Sequence, residues 1–270
     1  MAIRPYWEKQ KGPKDVELNE GCFISLTLKN KLMKTFMTAR WENLIMANYV
    51  IDAAKLQAYL PHGLEFDLYK GKAYVSLVGF LFKDSRIFGI PIPLLGTFEE
   101  VNLRFYVKRK EGEGYKRGVV FINETVPYKP VAWLANKLYK EHYISIPTKH
   151  RITKNGDRKE VDFQWKTELQ WNKIGVTSDG LLRDMERGSL EEFIFEHYFG
   201  YTRLNESVSQ EYRIRHPRWK VNTVADYNIR CDFAEMYGPA FSELTNQEPV
   251  AVFLAEGSDV SIDWKRTKFG

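Results

Sequence analysis

The sequence predicts an α+β fold, mostly antiparallel and carried by one domain. Three observations predict it. About eight strand-like runs and three or four helical ones follow one another with no strand–helix–strand rhythm, which excludes a parallel doubly wound sheet. Several runs alternate apolar and polar residues, the pattern of a sheet covered on one face. Aromatic residues reach 14%, with 17 Phe, 15 Tyr and 7 Trp, enough bulk for a core, a pocket or both. A length of 270 residues suits one large all-β unit as well as two small domains.

The elements follow in chain order. The Lys-rich residues 1–20 read as an exposed arm, and residues 21–270 as a single domain. Leu26, Leu28, Leu32, Met33, Phe36 and Met37 fit either a helix or a strand over 21–40. WENLIMANYVI at 41–51 is strand-like, and Asp52 caps a short helix stopped by Pro61 and Gly63. KAYVSLVGFLF at 72–82 is a buried strand, whereas FGIPIPLLG at 88–96 is an apolar loop broken by its prolines. Residues 98–109 and 116–126 form a hairpin around KEGEGY, whose glycines allow positive φ. Residues 128–143 read as a helix with Pro130 in its first turn, and 159–171 as one alternating strand with Val161, Phe163, Trp165, Leu169 and Trp171 inward. Ser189 and Glu192 make a capping box for SLEEFIFEHYF. VSQEYRIRHP is a strand ended by Pro217, 226–245 holds helical turns broken at Gly238-Pro239, and the C-terminal run is a hairpin around Glu256-Gly257-Ser258.

Charge and motifs exclude several functions. Forty Lys and Arg against 35 Asp and Glu give a net charge of only +5, which permits nucleic acid but does not argue for it. Cys22 and Cys231 are too few for a disulfide framework or a multi-cysteine metal site, and the five histidines lack ligand spacing, so no metal is expected. GEG at 112–114 sits on a hairpin tip, not a strand-to-helix turn, and no GxSxG elbow is present. No cofactor is expected. No signal peptide and no apolar run of membrane-spanning length is visible, so the expected setting is cytoplasmic with no membrane contact.

Two features could carry function. Lys108-Arg109-Lys110 and Lys116-Arg117 on the hairpin could contact phosphate, but interleaved glutamates favour a solvated tip, and no nucleic-acid partner is expected. In the first hairpin strand, Glu100, Asn102, Arg104 and Tyr106 share one face and Val101, Leu103, Phe105 and Val107 the other. An acid, an amide, a guanidinium and a phenol suit an anionic or carbonyl-bearing ligand. A solvent face with cross-strand ion pairs fits the same pattern.

WENLIMANYVIDAAKLQAYLPHGLEFDLYKGKAYVSLVGFLF, FEEVNLRFYV, RGVVFINETVP, ANKLYKEHY, YRIRHPRW and FLAEGSDVSI, taken in order over residues 38–264, resemble the YqjF-like family of the acetoacetate decarboxylase-like superfamily. The resemblance implies a closed, barrel-like, mostly antiparallel β-structure with a central cavity and peripheral helices. Such a cavity would turn the polar face of the first hairpin strand into a lining. Decarboxylases of the superfamily use a Schiff-base lysine in a Gly-aromatic-Pro-Lys-Lys stretch after a helix, the second lysine depressing the first one's pKa. Aligned on Pro147, Thr148 takes the nucleophile position and Lys149 keeps the second. The superfamily's cavity glutamate matches Glu100 of Phe98-Glu99-Glu100.

A threonine cannot form an imine, so acetoacetate decarboxylation by that route is not expected. The expectation is therefore a small-molecule cavity binding a carbonyl- or carboxylate-bearing ligand through Glu100, Asn102, Arg104, Tyr106, Thr148 and Lys149. Glu100 and Lys149 are the candidates for chemistry in a lyase-like reaction. The alternative is a nucleic-acid or protein binding module using the hairpin at 108–117. A homo-oligomer stays open.

Overall fold

The computed structural model describes residues 35–270. The expected arm at 1–20, the first part of the 21–270 domain and Cys22 lie outside the described residues. Strands β1 (Thr35–Ile51), β2 (Glu65–Phe66), β3 (Ala73–Ile87), β4 (Ile90–Pro91), β5 (Phe98–Glu111) and β6 (Gly114–Val126) make up the first half. Strands β7 (Tyr143–Ser145), β8 (Thr148–Asn155), β9 (Arg158–Lys166), β10 (Trp171–Asp184), β11 (Phe199–Arg203), β12 (Ser209–Arg215), β13 (Lys220–Arg230) and β14 (Ala251–Phe269) follow. Helices α1 (Ala53–Leu56), α2 (Lys129–Tyr139), α3 (Leu190–Phe195) and α4 (Phe233–Tyr237) are short, with 3₁₀ turns at Gln57–Tyr59 and Pro239–Asn246.

The fold is mostly sheet with few helices. Pairing runs β1–β3–β5–β6–β11–β12–β14, and β14 pairs again with β1. The start of β14 also meets β13, which continues through β10 and β9 to β8. Pairs are antiparallel except β6 with β11 and β6 with β7, so the sheet is mixed.

Strand alternation divides the core in two. One cluster joins Ile45, Val75, Leu77, Leu103 and Phe105 to Val161, Phe163, Trp165 and Ile174 of β9 and β10. The other gathers Trp41, Leu44, Val78, Phe80, Phe121, Tyr212 and Trp219 with Phe193 and Phe195 of α3. The β5 alternation read from the sequence is therefore real, but both of its faces are buried, not one.

Four readings are corrected. The run 159–171 is not one strand: Thr167 and Gln170 close a turn, their backbones joined at 2.9 Å and the Thr167 hydroxyl bonding the Gln170 carbonyl at 3.0 Å. Leu169 is thereby exposed on the turn, and Trp171 opens β10. Residues 226–230 belong to β13, and helix begins only at Phe233, where the Asp232 carboxylate accepts from the Glu235 amide. The C-terminal run is a single strand, not a hairpin. Gly257 takes φ +84° in mid-strand, where an added Cβ would lie 2.0 Å from the Trp41 carbonyl oxygen. The signal that reads as a turn is a close crossing of β1. The helix expected over 128–143 stops at Tyr139, because Lys140 turns left-handed at φ 59°.

Gly257 supplies a test. Gly257→Ala should cost about 2–4 kcal/mol in urea unfolding, combining positive-φ strain with a backbone clash. Gly156→Ala, at φ +58° with nothing within 4 Å, should cost about 1 kcal/mol. Equal losses would remove the close approach as the cause.

Candidate functional site

With Val101, Leu103, Phe105 and Val107 committed to the core facing β9 and β10, β5 must turn Glu100, Asn102 and Arg104 toward the second cluster. There they line one cavity of about 50 Å³ with Trp41, Phe80, Glu124, Tyr143, His197 and Trp219. A second cavity of about 80 Å³ adjoins it, lined by Phe36, Val131, Leu134, Ile262 and Glu141. Glu100, Tyr143 and Tyr212 border both.

Three elements bring further polar groups here. A bulge in β6 sets Leu103 opposite Asn123 but Arg104 opposite Phe121, so Glu124 falls opposite Asn102. After α2 the chain returns as β7, parallel to β6, with Tyr143 beside Glu124. Asn136 fixes that return: its Nδ2 donates to the Tyr143 carbonyl at 2.9 Å, and the Tyr143 amide donates to its Oδ1 at 2.7 Å. Tyr212 comes from β12.

The result is three buried carboxyls. Glu100 accepts from Asn102 Nδ2 and Tyr143 Oη, both at 3.0 Å, and Glu141 accepts from Tyr212 Oη at 2.7 Å. Glu124 Oε2, Glu141 Oε2 and Asn102 Oδ1 have no partner among the described residues. Burial pushes Glu100 up to about 7, against the pull of Asn102, Tyr143 and Arg104. It pushes Glu141 up to about 8, with Tyr212 opposing and the Glu100 charge adding. Glu124 rises well above the ordinary range through burial and the charges of Glu141 and Glu100. At neutral pH the cluster therefore holds protons.

Arg104 is the cavity's cation. Its Nη2 reaches the Ile194 carbonyl at 3.3 Å and Met46 Sδ at 3.5 Å, and among the described residues Nε has no partner and no carboxylate lies within salt-bridge distance. Tyr106 is placed otherwise than expected. Its hydroxyl contacts Ser76 Oγ at 2.6 Å, and that oxygen donates to Asn48 Oδ1 at 2.6 Å. The phenol thus anchors the wall, and its ring supports Arg104 and His197.

Thr148 and Lys149 do not join the cavity. They lie on β8, in the layer built on β9. Thr148 Oγ1 donates to Glu99 at 2.6 Å, on the face of β5 opposite Glu100, and His150 also pairs with Glu99. Lys149 is exposed, its Nζ 4.2 Å over the Trp171 ring. Among the described residues, no lysine lines either cavity, and no group of three or more His, Cys, Asp or Glu is arranged to hold a metal.

The basic hairpin is largely paired. Arg109 meets Glu211 at 2.9 Å, Lys116 meets Glu111 at 2.7 Å, and Arg117 meets Asp67 at 2.5 Å. No helix among the described residues is long and apolar enough to cross a membrane.

The fold is that of the acetoacetate decarboxylase-like structures. An acetoacetate decarboxylase-like enzyme from Sphingomonas wittichii superposes with a TM-score of 0.58 over 88% of this chain and 94% of its own, at 15% identity. The enduracididine biosynthesis enzyme MppR, in complex with pyruvate, gives 0.57 over 86% and 90%, at 13% identity. The chain belongs to the DUF2071 family, described as an uncharacterised conserved protein, whose model matches residues 38–259. YqjF of Bacillus subtilis is 26% identical over 200 residues, covering 72% of this chain and 78% of that one.

Glu141 supplies a second test. Its carboxyl stays protonated when folded, over a range where the unfolded chain ionises it, so folding takes up a proton there. Its contribution to stability therefore falls as pH rises from about 4.5 to about 8, then levels off. Glu141→Gln should gain on wild type by up to about 1.4 kcal/mol per pH unit across that window. Parallel stability–pH curves would show that the acid is ionised in place.

Proposed function

We propose that the protein encloses a small carboxylate- or carbonyl-bearing molecule inside a closed β-barrel. The pairing of β14 back to β1 supports closure, and the polar side chains of β5 supply the lining. The observation that carries the reading is Arg104: a guanidinium with no acidic partner among the described residues, sharing its cavity with Glu100 and Glu124, whose carboxyls burial pushes toward the protonated form. A half-buried cation without a counter-ion carries a desolvation cost, and a ligand carboxylate would supply the missing charge in a bidentate geometry.

Glu100 is the proposed acid–base group. Its pKa of about 7 lets it both hold and release a proton near neutrality, which suits lyase-like chemistry beside a carbonyl. Among the described residues no amine stands at the cavity for imine formation. The site therefore works, on this reading, by proton transfer and charge complementarity. A cavity of about 50 Å³ favours ligands of few heavy atoms over drug-sized ones. The cytoplasmic setting belongs to the same proposal. The hairpin's ion pairs weigh against the nucleic-acid alternative, since paired cations release few counterions.

Two measurements test this. Short carboxylates such as pyruvate should raise the melting temperature, and Arg104→Met should weaken their binding roughly a hundredfold while leaving stability unchanged or higher. Binding should also weaken as pH rises through about 7 to 8, where Glu100 and Glu141 add negative charge. Undiminished binding in Arg104→Met would sink the proposal. Separately, borohydride with pyruvate or acetoacetate should leave Lys149 unmodified; a mass gain there, lost in Lys149→Ala, would restore the imine route.

A further inference from the structure

Away from the carboxyl cluster the cavity has another wall. His197 follows α3 and is buried, and it lines the cavity that Arg104 also lines. Its Nε2 lies 3.1 Å from Asp67 Oδ2, and Asp67 is held in turn by Arg117 Nε at 2.5 Å. Its Nδ1 is buried and has no partner among the described residues. Both His197 and Arg104 pack on the ring of Tyr106, with centroid distances of 4.7 Å and 5.7 Å.

The protonation pattern follows from the partners. His197 and Arg117 keep the Asp67 carboxyl below its ordinary range despite burial, so it is ionised and only accepts. The shared hydrogen must then sit on His197 Nε2. Burial holds the imidazole neutral, pulling its pKa down to about 4 against the opposing effect of Asp67. The other nitrogen, Nδ1, is left as a lone-pair acceptor with nothing to accept. A buried acceptor without a donor is a cost that a ligand donor removes.

We infer that His197 is the specificity-determining residue of the cavity and selects a hydroxy acid, taking the ligand's hydroxyl proton on Nδ1 in a hydrogen bond while Arg104 holds its carboxylate. Asp67 is the positioning residue, because it fixes which ring nitrogen accepts. An oxo acid offers only acceptors to Nδ1 and leaves it unpaired, so the same cavity distinguishes lactate from pyruvate by the direction of one hydrogen bond. The inference deepens the proposed carboxylate site and rests on it.

The test pairs lactate, in both enantiomers, with pyruvate, and 2-hydroxybutyrate with 2-oxobutyrate, by calorimetry and by ¹⁵N spectra of the histidine ring. In the free protein at pH 7 the His197 signals should show hydrogen on Nε2 and none on Nδ1. One enantiomer of each hydroxy acid should bind at least about tenfold more tightly than its oxo partner and shift Nδ1. His197→Phe should abolish that preference. Asp67→Asn can donate to Nε2 and move the hydrogen to Nδ1, so the preference should swing toward the oxo acid. A merely structural role for Asp67 would weaken both ligands alike. Hydrogen on Nδ1 in the free protein, or a hydroxy-acid preference that survives His197→Phe, overturns the inference. If oxo acids bind through Arg104 but no hydroxy acid shifts Nδ1, this inference alone fails. If no carboxylate binds, the proposed function fails with it.

Discussion

Everything in this fold hangs on the double pairing of β14. Over Ala251–Asp263 it is bonded to β1, and on its other edge it meets β13 early and β12 late. One strand thereby serves two layers: it returns the path of strands that starts at β1, and it seats the β13–β10–β9–β8 layer against one face of the same strands. Strands buried on both faces need apolar residues on both, which is why β3 reads as a nearly continuous apolar run. Polar residues on such strands stand out. Glu100, Asn102 and Glu124 are tolerated only because they meet one another, Tyr143 and Arg104 in a common space.

That space holds an electrostatic tension with a functional sense. Three buried carboxyls near each other cannot all ionise, and protonation is the cheaper outcome. Arg104 then keeps a charge that no nearby group among the described residues cancels. A cluster of ionised acids would have neutralised Arg104 and closed the site to anions. Neutral acids leave hydrogen-bond donors and a net positive centre instead. Around them the wall is stiff, since Asn48, Ser76 and Tyr106 form a buried polar chain across β1, β3 and β5.

The sequence carried much of the frame. The β5–β6 hairpin, the capped starts at Asp52 and Ser189, and the two-faced pattern of β5 were all legible, because each is a local signal. Glu100 and Arg104 were legible for the same reason. Glu124, Glu141, Tyr143, Tyr212 and His197 were not, since they meet only after β6, α2, β7, α3 and β12 assemble. A register count on the hairpin brings Asn123 opposite Asn102, one residue short of Glu124, because the bulge leaves no signature of its own. Lys149 failed for a different reason. Proline alignment fixed its place in the chain, but β8 pairs with β9 and carries it to the outer layer. Turn signals misled at Gly257, where a glycine marks contact between strands.

The bulge at Ile122 in β6 also divides the hairpin into two segments with separate registers. Residues toward the tip are counted from the loop at Gly112, whereas Asn123 to Val126 are counted from β7 and the base of β5. A length change at the tip can be absorbed at that junction before it reaches the acid cluster. The Gly112 loop can therefore accept an engineered insertion while Lys116 and Arg117 keep their ion pairs and the chemistry at the hairpin's root keeps the same frame.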